Sequence, residues 1–367
     1  MELFHQMTSM GHEQVLFCSN PDVGLQAIIA VHSTVLGPGL GGVRMWPYAS
    51  MDEALTDVLR LSRGMTYKAA AAGLNLGGGK AVIVGDAKKA KSEALFRAFG
   101  QAVGSLGGMY ITAEDVGTDM EDMELIFSET RWVTGISPAH GGGGDPSPVT
   151  AYGVFQGIKA AAHRQFGDAA LAGRCVAIQG LGNVGYHLAG YLKEEGVKII
   201  GADLHADSAG RAAADHGVEI VSAADILTVE CDILAPCALG ASLNDKTIPE
   251  LRCTVVAGGA NNQLADEERH GRELHERGIL YAPDFVINAG GLINVYTELM
   301  STYNRERALR LTRGIYLNLM RVFEISRTES IPTAQAAERV AEERIRKMAG
   351  LRPQHWDRLI RQRRTRS

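Results

Sequence analysis

The run "RCVAIQGLGNVGYHLAGYLKEEGVKIIGAD", residues 174–203, constrains the fold more than any other stretch of the chain. A β-rich segment from Cys175 to Gln179 feeds Gly180-x-Gly182-x-x-Gly185. A helical pattern, Gly196 and a second strand pattern ending on Asp203 follow in order. Each glycine has its own physical role in a dinucleotide-binding βαβ unit. Gly180 permits the tight turn, Gly182 lets backbone approach a pyrophosphate, and Gly185 lets the helix lie close on the strand. The phosphates then meet the positive end of the helix, so Asn183 and Val184 in its first turn count with the cofactor-binding residues. Asp203 stands where a carboxylate accepts the ribose hydroxyls of NAD. It would repel a 2′-phosphate, and no arginine follows in "LHADSAG", so NAD is expected over NADP.

A chain of 367 residues exceeds the size of one ordinary hydrophobic core, so two domains are expected. No apolar stretch approaches the roughly 20 residues of a membrane span. The N-terminus "MELFHQMTSMGHEQVLF" lacks a basic region followed by an apolar one, which argues against a secretory signal. A soluble, cytoplasmic protein is expected, with no membrane partner. A net charge of −5 argues against nucleic acid. Only the tail "RLIRQRRTRS" is basic, and it reads as a frayed end. The five cysteines, at 18, 175, 231, 237 and 253, sit mostly in apolar runs and read as free thiols. Zinc-ligand spacing is absent, so no metal is expected.

Four glycines and three prolines in "PAHGGGGDPSPVT", residues 138–150, mark a hinge. Before it, "SMDEALTDVLRLSRGMTYKAAAAG" reads as a helix that opens with a Ser50/Glu53 capping box and stops at Gly73. "KAVIVGD" reads as a strand, "SEALFRAFGQAVGSL" as an amphipathic helix, and "GMYITAEDVGT" as a strand running into a loop. After the hinge a helix precedes strand–helix alternation to about residue 290, and helical patterning then dominates.

The segment "MTYKAAAAGLNLGGGKAVIVGD" strands Lys68 and Lys80 without an acidic neighbour. Lys68 alone reads as a cation in a last helical turn, favoured by the helix dipole. Lys80 follows three glycines and opens an apolar strand. A phosphate loop is excluded, because Gly73 lies one position too early and Ala81 replaces the required Ser or Thr. If both amines face one partly desolvated cleft, mutual repulsion and burial each lower a lysine pKa. One amine then holds an anion while the other acts as a base. Asp115, in "YITAEDVGT", supplies a carboxylate to move protons. Glu114 beside it should face the other way, because neighbours in an extended segment point to opposite sides.

These stretches, with "CDILAPCALG", "YAPDFVINAGGLINV" and "YNRERA", resemble the amino-acid dehydrogenases of the glutamate, leucine, phenylalanine and valine group over nearly the whole chain. The resemblance implies NAD-dependent oxidative deamination of an L-amino acid, reversibly, to a 2-oxo acid and ammonia. It gives Lys68 the substrate carboxylate, Lys80 the activation of water, and Asp115 proton transfer at the amino group. Asn262 and Asn288 would lie near the nicotinamide, Thr150 at the cofactor's edge, and Cys237 and Ala238 beside its ribose. Leu40 and Val295 occupy positions where glutamate-specific members carry a lysine and a serine. An apolar pair there cannot compensate a buried carboxylate. Gly41, Met65, Ala113, Thr134 and Leu292 complete the pocket wall, with Asn262 also near substrate. A branched-chain aliphatic substrate, leucine foremost, is therefore expected. Phenylalanine oxidation and a non-catalytic NAD sensor are the alternatives.

The expected fold is two α/β domains flanking a cleft. A substrate-binding and catalytic domain of the dimerisation type would span 1–149, with helices of 328–367 packing back on it. A doubly wound Rossmann domain would span 150–327. The resemblance also implies a homo-oligomer, an octamer or smaller.

Overall fold

A computed structural model of the protein describes residues 3–238, 240–300 and 303–351; the basic tail lies outside the described residues. The chain forms two compact units. One comprises Met1–Gly144, Val295–Asn304 and the chain from Ala341 on, and the other comprises Asp145–Asn294 and Arg305–Val340.

The first unit opens with α1 (Leu3–Met10), β1 (Gln14–Asn20), β2 (Leu25–Ser33), β3 (Gly39–Leu40) and β4 (Val43–Trp46). It continues through α2 (Met51–Ala71), β5 (Gly77–Val84), α3 (Glu93–Ser105), β6 (Tyr110–Ile111) and α4 (Met120–Phe127). Its sheet runs β1-β2-β5-β3-β6, with β4 also on β5. Strands β1, β2 and β5 pair antiparallel, whereas β3 and β4 run parallel to β5. Alternation along the strands builds two cores. Ile28, Ala30 and Val82 pack on Ala54, Leu55, Val58 and Leu59 of α2, while Ile29, Ala81 and Ile83 pack with Phe96, Phe99, Met123 and Ile126 of α3 and α4.

Helix α2 starts at Ser50, whose hydroxyl accepts the Glu53 amide, but the capping box is not closed as expected. The Glu53 carboxylate accepts from the Ala49 amide, one residue upstream. A larger departure concerns Gly77, Gly78 and Gly79, expected to precede a strand and found inside β5, fully buried. A Cβ on Gly78 would lie 2.2 Å from the Thr66 amide nitrogen, and one on Gly79 would lie 2.5 Å from the Tyr110 ring. The glycines let helix α2 and Tyr110 close on the two faces of one strand.

The second unit contains α5 (Ser147–Phe166), β7 (Cys175–Gln179), α6 (Asn183–Glu194), β8 (Lys198–Ala202), α7 (Ala206–His216) and β9 (Glu219–Ile220). Then come β10 (Ile233–Pro236), β11 (Val255–Val256), α8 (Glu267–Glu276), β12 (Leu280–Tyr281) and α9 (Asp284–Ile287). Its sheet is parallel throughout, in the order β12-β11-β10-β7-β8-β9. Renumbered from β7 this is 3-2-1-4-5-6, the doubly wound order whose ligand crevice lies where β7 and β10 diverge.

The remaining helices are α10 (Gly290–Met300), α11 (Arg305–Thr312), α12 (Gly314–Glu329) and α13 (Thr333–Met348). The first unit's first segment ends at Gly144, against the expected 149, and the chain rejoins that unit twice, over Val295–Asn304 and again from Ala341, against the expected 328. Helix α12 and the start of α13 stay with the second unit: a Cβ on Gly157 of α5 would meet Leu319 of α12 at 2.9 Å, and Ala334 joins that unit's core. Beyond the crossing, Arg344 donates to the carbonyls of Gly73 and Leu74 and to Asn75, closing off the end of α2.

Candidate active site

Strand β5 directs Gly78, Lys80 and Val82 toward the face covered by α2. Lys80 lies opposite Ala30 of β2 and is only 5% exposed. The fold supplies the acid that the local sequence lacks, because Lys80 Nζ stands 3.0 Å from Asp115 Oδ2. The same oxygen accepts from Arg44 Nε at 2.9 Å, and Arg44 Nη1 donates to Asp57 Oδ2 at 2.9 Å. Asp57 also accepts the Tyr48 hydroxyl at 2.6 Å. Glu114 is exposed, so the alternation that separates it from Asp115 holds.

Two opposed effects set the Lys80 amine. Burial pushes its pKa down, Asp115 pulls it up, and Arg44 pushes it down again; the net shift is downward. Burial would raise the Asp115 carboxyl, but Lys80 and Arg44 outweigh it and hold the group below the usual carboxylate range. Arg44 is a cation that acts on Lys80 and that the sequence alone did not point to. Lys68 is half-buried in the last turn of α2, one turn beyond Met65.

The expected pocket residues divide between the units. Leu40 is buried, paired with Gly78 on one side and Ile111 on the other. A Cβ on Gly41 would lie 3.2 Å from Met65 Cγ, and one on Gly42 would lie 2.8 Å from Asp115 Cβ, so this short link touches both. The Tyr110 hydroxyl donates to Gly41 O and contacts Thr112, whose carbonyl accepts the Thr134 amide and hydroxyl. Ala113 gives its carbonyl to the Val43 amide. Val295, half-buried on α10, also belongs to the first unit. Leu292 and Asn262 belong to the second, Leu292 buried and Asn262 exposed.

In the second unit Gly180 adopts φ +92°, and a Cβ on Gly185 would lie 1.9 Å from the Gly180 carbonyl. A Cβ on Gly182 would meet nothing within 4 Å, which leaves its backbone and the exposed Asn183 open at the start of α6. Val184 is half-buried behind them. Asp203 accepts the Leu181 amide at 2.7 Å and the His205 amide at 2.8 Å, tying the end of β8 to the glycine turn. The Cys237 amide donates to Gln179 O at 2.7 Å, and Ala238 packs on Gly180. Burial pushes the Cys237 thiol up to about 11. The Asn288 side chain donates to Asn261 Oδ1 at 2.8 Å, while its own buried Oδ1 finds no partner. Asn262 holds φ +50°, and Thr150 in the first turn of α5 donates to Pro146 O. An open glycine, helix-start amides and an orphaned amide oxygen fit a dinucleotide carrying a carboxamide.

Asp245, His270 and Glu273 place ligand-type atoms within 4.8 Å of one another. His270 Nδ1 already accepts the Asp266 amide and Nε2 faces Asp245, so both ring nitrogens are committed.

Arg44, Asp57 and Tyr48 were not expected from sequence. The available signal was a single cation inside "GGVRMW", a strand otherwise without charge.

A doubly wound dinucleotide unit joined to a unit holding a buried amine–carboxylate pair defines a nicotinamide-dependent dehydrogenase. Residues 12–132 match the model of the Glu/Leu/Phe/Val dehydrogenase dimerisation domain, and residues 141–222 and 208–349 match that of Glutamate/Leucine/Phenylalanine/Valine dehydrogenase. The chain belongs to this family. The leucine dehydrogenases of Thermoactinomyces intermedius and Geobacillus stearothermophilus are each 58% identical to it over 348 residues, 95% of this chain and 94% of theirs. The crystal structure of L-tryptophan dehydrogenase from Nostoc punctiforme superposes with a TM-score of 0.86 at 44% identity, covering 94% of this chain and 99% of that one.

Proposed function

We propose that the protein catalyses the reversible, NAD-dependent oxidative deamination of a branched-chain aliphatic L-amino acid, leucine foremost, to its 2-oxo acid and ammonia. The observation that carries this reading is Lys80, buried to 5% exposure against Asp115, in a chain 58% identical to leucine dehydrogenases. Desolvation favours the neutral amine, which is the form able to take a proton.

Lys68 holds the substrate carboxylate. Asp115 takes a proton from the substrate ammonium, so that the α-carbon carries a free amine. Bound NAD supplies the acceptor for the hydride that leaves this carbon. Lys80 then removes a proton from water as it attacks the imino carbon, and Asp115 returns its proton to the nitrogen; as the C–N bond breaks, the hydroxyl proton passes to the departing ammonia, leaving the 2-oxo acid and ammonium. The Asp203 carboxylate favours NAD by repelling a 2′-phosphate. Gly180, Gly182, Asn183, Val184 and Gly185 hold the pyrophosphate; Thr150, Cys237, Ala238, Asn262 and Asn288 line the rest of the cofactor. Leu40, Gly41, Met65, Ala113, Thr134, Leu292 and Val295 surround the side chain. None of these carries a cation, so a glutamate side chain would enter uncompensated at a cost of several kcal/mol.

The first unit's match to a dimerisation domain supports a homo-oligomer. Among the described residues no helix is long and apolar enough to cross a membrane, and the protein is read as cytoplasmic. The test is NADH formation by the purified protein with leucine, valine, isoleucine, phenylalanine, tryptophan and glutamate in parallel. Highest kcat/KM with a branched aliphatic substrate supports the reading. A preference for an aromatic substrate, or NAD binding without turnover of any of the six, overturns it.

A further inference from the structure

Lys80 and Arg44 both contact the same oxygen of Asp115, at 3.0 and 2.9 Å. We propose that Arg44 is a positioning residue for the deamination: anchored by Asp57, its guanidinium commits Oδ2 of Asp115 to the two cations and leaves Oδ1 to exchange a proton with the substrate nitrogen. This rests on the amine chemistry proposed above. In that exchange an N–H bond of the substrate ammonium breaks as an O–H bond forms on Oδ1, and the reverse transfer later restores the carboxylate.

The geometry suits an arginine. Parallel pairing of β4 with β5 sets Arg44 opposite Val82, one strand over from the Lys80 face. From there a rigid planar fork reaches two acceptors at once, Asp115 through Nε and Asp57 through Nη1, which a lysine's single nitrogen cannot do in a fixed plane. Tyr48 donates to the same Asp57 oxygen at 2.6 Å and so fixes the far end of the fork. Backbone holds the near end. The Asp115 amide donates to Thr118 Oγ1 at 2.9 Å, and the Thr118 hydroxyl contacts Val43 O at 2.9 Å, tying the loop to β4.

The charged groups that act on Lys80 come from three neighbouring segments. They are Asp115 after β6, Arg44 of β4 and Asp57 of α2, with Tyr48 bonded to Asp57; β2 places Ala30 opposite Lys80. Arg44 disfavours charge on Lys80, whereas Asp57 favours it. Neutralising the two should therefore move the amine in opposite directions.

The experiment pairs steady-state kinetics with carbamylation of Lys80 by cyanate, read by peptide mass spectrometry across pH, in wild type, Arg44→Gln, Arg44→Lys and Asp57→Asn. Arg44→Gln should lose about ten- to a hundredfold in kcat with KM for the amino acid within about twofold. The pH of half-maximal labelling should rise by about one unit in Arg44→Gln and fall in Asp57→Asn. Arg44→Lys should restore the labelling pH but not kcat. Unchanged labelling in both neutralised variants, or shifts of the same sign, overturns the proposal. If Arg44→Gln does not fold, the downward shift in Asp57→Asn decides alone. Opposite shifts in a protein that turns over no amino acid would leave the positioning of Asp115 standing and remove the substrate reading instead.

Discussion

Gly78 lies so close to Thr66 that a Cβ on the glycine would sit 2.2 Å from both the threonine amide nitrogen and its hydroxyl. This approach seats α2, with Lys68 in its last turn, on the strand that carries Lys80. Since the obstructing atoms include backbone, no side-chain rotation relieves the clash. Gly78→Ala should therefore cost about 1–3 kcal/mol and lower kcat as Lys80 is displaced. Thermal denaturation with parallel kinetics checks this; a melting temperature equal to wild type would show that helix and strand separate at little cost.

Buried histidines under the same helix predict an acid-sensitive fold. His32 contacts Thr66 Oγ1 through Nδ1 and the Met10 carbonyl through Nε2, and stacks edge-on with His12. Burial, then repulsion from His12, lowers its pKa from 6.5 to about 4 against the pull of the Met10 carbonyl. The unfolded chain thus binds the proton first. This contribution is complete above about 6.5 and is lost as pH falls toward 4, on the order of 3 kcal/mol in all. Urea denaturation at pH 7 and pH 5 should show that loss in wild type and a smaller one in His32→Asn. Equal losses in the two proteins would contradict the assignment.

Asp203 is a third point of test. Its carboxylate accepts two backbone amides and holds the glycine turn. Asp203→Asn keeps an acceptor oxygen but removes the charge that opposes a 2′-phosphate. The ratio of kcat/KM for NAD over NADP should drop about tenfold, a change of ~1.4 kcal/mol, and an unchanged ratio would place cofactor choice elsewhere.

Much of this was legible in the residues, and what was not has definite physical causes. The β7–α6–β8 unit was plain because strand, glycine turn, helix and acid each leave a local mark. Asp115 could be told from Glu114 because extended backbone alternates. The strand character of Gly77–Gly79 was hidden, since glycine has no side chain to show a period of two and the reason for it sits on α2 and Tyr110. Arg44 was hidden as well, because the pairing of β4 with the segment after β6, Val43 against Glu114, brings it to Asp115 from 71 positions away in the chain. The crossings between Asn294 and Val295 and between Val340 and Ala341 fall inside continuous helices, whose periodicity carries no sign of a change of unit.

Replacing Lys80 tests the account at its centre, because the proposed chemistry needs that nitrogen as a base while the glycine turn of β7 does not. Lys80→Ala should reduce leucine deamination by at least about a hundredfold, with the affinity for NADH, followed by fluorescence titration, within about twofold of wild type. Deamination persisting near the wild-type rate in a protein that still binds NADH would contradict the role given to this amine.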